Sequence, residues 1–202
     1  MALAEAINRA LRPLPAWPLY LVGLLPAVWF FWLGLTGGLG PEPIKALEHR
    51  LGELALQLLL AGLAVTPLRR HFGVSLIRYR RAIGLLAFCY VTLHLAVWLF
   101  LDIGIWSQIW ADILKRPYIT IGMAGFALLV PLAATSNNWS VRRLGPAWRR
   151  LHRLTYAAVL LGALHYVMLV KGWQIAPLLY LAAALGLLAL RLPRRQRRPA
   201  LS

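Results

Sequence analysis

A single cysteine, Cys89, stands in a chain of 202 residues, so no disulfide forms within it and no CxxCH attachment exists for a covalent haem. Cys89 reads as a small apolar wall residue. Acidic side chains are scarce as well, with 6 Asp and Glu against 22 Lys and Arg. Only Glu53 and Asp102 lie near the ends of apolar segments. That is poor material for a small proton-coupled transporter or channel with a carboxylate relay, the main alternative to a redox role. No Gly-rich phosphate-binding turn follows the last apolar segment, so any flavin or nicotinamide donor is expected to be another molecule.

What the chain has is apolar surface. Sixty per cent of the residues are hydrophobic and the mean hydropathy is +0.67, values that point to a membrane protein. The basic residues fall in clusters between apolar runs, which disfavours nucleic acid as a partner and suits charged loops beside spans. Six windows approach the length needed to cross the hydrocarbon core, namely 18–36, 51–66, 82–101, 118–134, 154–170 and 175–190. The first is too long for a signal peptide and has no small-residue cleavage pattern. Lys45, Arg50, Lys115, Arg116 and Lys171 are the only basic residues in the first, third and fifth loops; all others lie at the N-terminus, in the second and fourth loops or in the tail. The expected fold is therefore an all-α integral membrane bundle of six transmembrane helices with both termini cytoplasmic. Residues 1–17 form a cytoplasmic segment, 18–190 the membrane domain and 191–202 a basic tail. Arg191, Arg194, Arg195, Arg197 and Arg198 read as an anchor on lipid headgroups. Trp98, Trp106, Trp110, Tyr118, Trp139, Trp148 and Trp173 read as an interfacial belt.

Ionisable groups inside a span cost about 2.5–3.5 kcal/mol each, so an intramembrane histidine asks for a function. His94 and His165 lie well inside the third and fifth windows, each 13 residues beyond a polar marker, Arg81 and His152 respectively. At 1.5 Å per residue both rings sit about 20 Å from the cytoplasmic side, at one level. Two imidazoles at equal depth on separate helices suit the axial positions of one haem iron; the competing reading is a pair of interhelical hydrogen bonds. His152 stands at the cytoplasmic end, either as a further ligand or as a basic interfacial residue. It does not share a face with His165 on a straight helix, since 13 residues turn through about 220°. Arg149, Arg150 and Arg153 could neutralise haem propionates or flavin phosphate, or simply anchor the loop. His49 and His71 fall in loops and read as solvated.

Three stretches carry a resemblance. They are Arg80-Arg81-Ala82-Ile83-Gly84-Leu85-Leu86 running on to Leu93-His94-Leu95; Arg116-Pro117-Tyr118-Ile119-Thr120; and Leu144-Gly145-Pro146-Ala147-Trp148-Arg149-Arg150-Leu151-His152-Arg153 followed by Leu164-His165-Tyr166. The segment from about Arg78 to Lys171 resembles the MsrQ (YedZ) family of the ferric reductase-like transmembrane domain superfamily. The resemblance implies a bacterial inner-membrane subunit binding haem b, one or two, together with FMN. Electrons would come from the quinone pool or a cytosolic flavin reductase. They would pass to an MsrP-like periplasmic molybdopterin reductase of methionine sulfoxide in oxidised proteins. Superfamily relatives such as the NADPH oxidases carry two histidines on each of the third and fifth helices. This chain has His152 and His165 on the fifth side but only His94 on the third, with Arg81 at the level of His152.

Overall fold

Backbone polar groups cannot stay unpaired in hydrocarbon, and helices satisfy them within one segment. The computed structural model describes residues 2–170 and 174–191, and no strand occurs among them. Each of the six apolar windows falls on a helix. These are α2 (Pro18–Leu35), α3 (Pro43–Phe72), α4 (Arg80–Val97), α6 (Pro117–Ala134), α9 (Leu154–Leu169) and α10 (Ile175–Ala189). Four short helices lie between or before them: α1 (Ala2–Leu11), α5 (Trp106–Lys115), α7 (Asn138–Leu144) and α8 (Pro146–Leu151). Among the described residues four helical stretches are long and apolar enough to cross a membrane: Pro18–Leu35, Pro43–Phe72, Ile77–Ile103 and Pro117–Ala134. Helices α9 and α10 are shorter, at 16 and 15 residues. Trp173 and the tail arginines beyond Arg191 lie outside the described residues.

Helix α3 is longer than its apolar window because Pro43 opens it at the position where a missing N–H costs nothing. Lys45, Glu48, His49 and Arg50 then continue the helix, although a hydropathy window reads them as loop. It ends where Gly73 adopts φ +72°, a left-handed cap that needs no Cβ. Helix α4 runs into a π turn over Trp98–Ile103, which ends at Gly104.

Buried apolar residues join α3, α4, α6, α9 and α10 in one cluster around Leu63, Ala87, Val159 and Ala163. A second cluster joins α2 to α3 and α4 around Leu51 and Tyr90. Small residues let α6 and α9 approach closely, a Cβ on Gly125 coming 3.5 Å from that of Leu161. The outer face of α2 leaves Leu21, Val22, Leu25, Val28, Trp29 and Trp32 exposed, an arrangement suited to lipid and costly in water.

Side chains from elsewhere in the chain meet the backbone beside two interior prolines. Pro67 has no N–H for the carbonyl of Leu63, four residues earlier, and the Arg191 guanidinium donates to that carbonyl instead. Arg191, read from sequence as a lipid anchor, is thus turned inward, with Nη1 3.1 Å from the Tyr156 hydroxyl. Beside Pro26, the Tyr90 hydroxyl enters the α2 ladder, donating to Gly23 at 2.6 Å and accepting from the Ala27 N–H at 3.1 Å.

Candidate functional site

Helices α3, α4, α6 and α9 enclose a cavity of about 560 Å³, within the range of roughly 300–1,000 Å³ typical of cofactor sites. His94 and His165 both line it. Their ring centroids are 6.2 Å apart and their planes are 78° apart. Two metal–nitrogen bonds of about 2 Å, plus about 1 Å from each nitrogen to its ring centre, would set two axial imidazoles about 6 Å apart. The structure thus brings the two rings together at a separation compatible with such a pair.

Each ring is held in the same way. His94 Nδ1 donates to the Glu48 carbonyl at 2.9 Å, and His165 Nδ1 donates to the Tyr118 carbonyl at 2.7 Å. Donation to a carbonyl fixes the proton on Nδ1, so Nε2 carries the lone pair a metal needs. Neither Nε2 has a hydrogen-bond partner among the described residues. Interhelical packing therefore accounts for one nitrogen of each ring and leaves the other available.

Room for the rings comes from glycine. A Cβ on Gly52 would stand 3.0 Å from His94 Nδ1, and one on Gly122 would stand 2.8 Å from His165 Nδ1. Gly52 follows Glu48 by four residues and Gly122 follows Tyr118 by four. The carbonyl that orients each ring and the glycine that admits it are therefore neighbours one turn apart. This repeated carbonyl-glycine unit escapes a reading that looks only for ligands. Its signal is a glycine inside an apolar helix, which costs about 1 kcal/mol relative to alanine and so requires a reason.

The remaining candidates lie elsewhere. His152 is in the turn between α8 and α9, so the two histidines do not ride on one continuous helix. Its Nε2 is 3.1 Å from Thr135 Oγ1, and its ring stacks on Trp148 at 3.9 Å. Burial, followed by the nearby charge of Arg80, holds its imidazole below the ordinary value. Trp148 also donates to the Thr135 carbonyl at 2.9 Å, which makes it more than a belt residue. Arg81 donates to Asn138 at 2.8 Å. Arg149, Arg150 and Arg153 are exposed, and neither they nor His152 lines the cavity. His49 and His71 are both exposed, as expected of solvated residues, but both are on α3 and not in loops; His49 also lines the cavity, whereas His71 is in the last turn of the helix. Trp98, expected in the belt, is buried against the cavity, while Trp106 and Trp110 are exposed on α5.

Glu53 also faces the cavity and accepts a 2.8 Å hydrogen bond from Tyr180, whose hydroxyl accepts one of 2.7 Å from Gln57. Among the described residues no three His, Cys, Asp or Glu side chains converge on a metal position. Two opposed imidazoles instead suit a metal whose equatorial ligands come with a macrocycle.

The family model for the ferric reductase-like transmembrane component matches residues 50–163. The chain is 49% identical, over its full length and 95% of theirs, to proteins from Brucella ovis, Brucella canis and Brucella suis. Each is named as the protein-methionine-sulfoxide reductase heme-binding subunit MsrQ. No solved structure matches the chain significantly.

Proposed function

This chain belongs to the ferric reductase-like transmembrane family, among the MsrQ haem-binding subunits of methionine sulfoxide reductase, and on that premise we propose that His94 and His165 hold one haem b as an electron carrier. The observation that supports it best is the pair of imidazoles 6.2 Å apart, each with Nδ1 tied to a carbonyl. A haem held by two histidines supplies one-electron ferric/ferrous chemistry with no open position for oxygen or substrate. The protein's part is to orient both Nε2 lone pairs, exclude water with the surrounding apolar wall and keep the spacing fixed.

The direction of flow completes the proposal. Six spans with both termini in the cytoplasm follow from the placement of basic residues and set the haem toward the periplasmic side of a bacterial inner membrane. The electron acceptor is an MsrP-like periplasmic molybdopterin reductase of protein methionine sulfoxide. The donor is the quinone pool or a cytosolic flavin reductase. His152, with Arg81, Arg149, Arg150 and Arg153, forms the cytoplasmic-end group to which we assign FMN or a second haem. What supports that assignment is the concentration of guanidinium groups suited to phosphate or propionate.

Reduced-minus-oxidised spectra and haem per polypeptide test the axial pair. His94→Ala and His165→Ala are each expected to abolish the six-coordinate haem, and His71→Ala to retain it. Equal haem content in all three variants would refute the assignment.

A further inference from the structure

The cavity is chemically one-sided along its length. Its lining on α3 begins at Lys45, Glu48 and His49, passes Gly52 and ends at Leu59. On α6 it begins at Arg116, just before the helix, and ends at Leu129. Because His94 reaches the Glu48 carbonyl and His165 the Tyr118 carbonyl, the starts of α3 and α6 lie at the same end. Every Lys and Arg that lines the cavity is at that end. The opposite end is walled by Leu56, Leu59, Val91, Phe126, Leu129 and Ala158, with no side chain able to pair with a charge.

We propose that Lys45, His49 and Arg116 form the binding site for the two propionate carboxylates of the porphyrin, so that the haem enters with its charged edge toward the starts of α3 and α6. The proposal rests on haem b binding between His94 and His165. An ionised carboxylate buried against leucine and phenylalanine is prohibitively costly unless paired, which rules out the reversed orientation. At the charged end, donors remain available. Arg116 uses Nε on Asp112 at 3.1 Å and Nη1 on the Tyr118 hydroxyl at 3.2 Å, leaving Nη2 without a partner among the described residues. Lys45 has one bond, to Glu42 at 3.0 Å, and its side chain is 55% exposed. His49 makes no side-chain hydrogen bond among the described residues. The first N–H groups of α6 add their positive end at the same place.

Glu48 and Asp102 also line this end. They would repel an incoming carboxylate that met no cation, so the three donors have to do more than offset solvent loss. The arginines at His152, considered from sequence as propionate partners, stand outside this cavity. They are left for a ligand of their own.

Titration of the full-length apoprotein in detergent with haem b and with its dimethyl ester, which lacks both carboxylates, tests the proposal. The wild type is expected to bind the ester about tenfold or more weakly than haem b. In the Lys45→Gln, His49→Gln, Arg116→Gln triple variant the two ligands are expected to bind with nearly equal affinity. The spectrum of two axial histidines should persist in every combination. Equal binding of haem b and ester by the wild type would overturn the proposal, as would a variant that weakens both ligands by the same factor. A wild type that binds neither ligand would instead fail the haem assignment itself. The difference between ligands, not the absolute affinity, carries the result, so general damage by the substitutions cannot imitate it.

Discussion

The ring of His165 occupies the space a side chain at Gly122 would need, a Cβ there coming within 2.8 Å of Nδ1. His94 stands over Gly52 in the same relation at 3.0 Å. Each histidine therefore depends on a glycine across a helix interface as much as on its own backbone. Gly122→Ala is expected to lose most of its haem and Gly52→Ala a smaller share, although alanine favours an isolated helix by about 1 kcal/mol. Gly84→Ala, where a Cβ meets nothing within 4 Å, should keep its haem and gain a little stability. Haem per polypeptide measured on the three purified variants checks the order; undiminished haem in Gly122→Ala would show that the ring has room to shift.

Much of this arrangement is legible in sequence, for identifiable reasons. Apolar length marks α2, α4 and α6, and equal residue counts from the charged borders bring His94 and His165 to one level. The start of α3 is hidden because Lys45, Glu48, His49 and Arg50 have loop-like hydropathy but helical propensity. That places His49, which stays exposed, on a helix beside the cavity instead of in a loop. The orienting groups are hidden for a different cause, since Glu48 and Tyr118 act through backbone carbonyls that carry no residue signature. The role of Arg191 depends on Pro67, 124 positions away, and only the packing of α10 on α3 joins them.

That pairing gives a second prediction. Arg191→Ala leaves the Leu63 carbonyl buried without a donor, a loss of about 1–3 kcal/mol. With Pro67→Ala in place, residue 67 regains the N–H that bonds Leu63, and the same arginine substitution should cost much less. Unfolding of the four proteins of the cycle in one detergent measures the coupling. Strict additivity would mean that Arg191 serves only Tyr156.

Tyr90 is fully buried, and its hydroxyl bonds both the Gly23 carbonyl and the Ala27 N–H beside Pro26. Tyr90→Phe keeps the ring and removes both of these hydrogen bonds. A stability loss of about 1–3 kcal/mol is expected, with the haem spectrum unchanged, because the residue lies outside the cavity. A spectral change without loss of stability would instead assign Tyr90 to the site.

His152 provides a pH-dependent prediction because it lies between helices and not within a span. An unfolded imidazole titrates near 6.5, and burial beside Arg80 holds the folded one lower. Around and below that value the unfolded chain binds more protons than the folded one, so stability rises with pH there. The contribution of neutral His152 is fully present above about pH 6.5 and is lost as pH falls through that value toward the lower folded one. Acidification of the haem-loaded protein from about pH 7.5 to 5 is therefore expected to lower its unfolding temperature. His152→Gln, which can still donate to Thr135 but cannot be protonated, should show a flatter dependence over the same interval. Release of haem on unfolding frees His94 and His165 to bind protons in wild type and variant alike, so the difference between the two pH profiles, and not either profile alone, reports His152. The same samples count haem. If His152→Gln lowers haem per chain by one, His152 holds a second haem; if the count holds and the pH dependence flattens, His152 serves the Trp148–Thr135 contact.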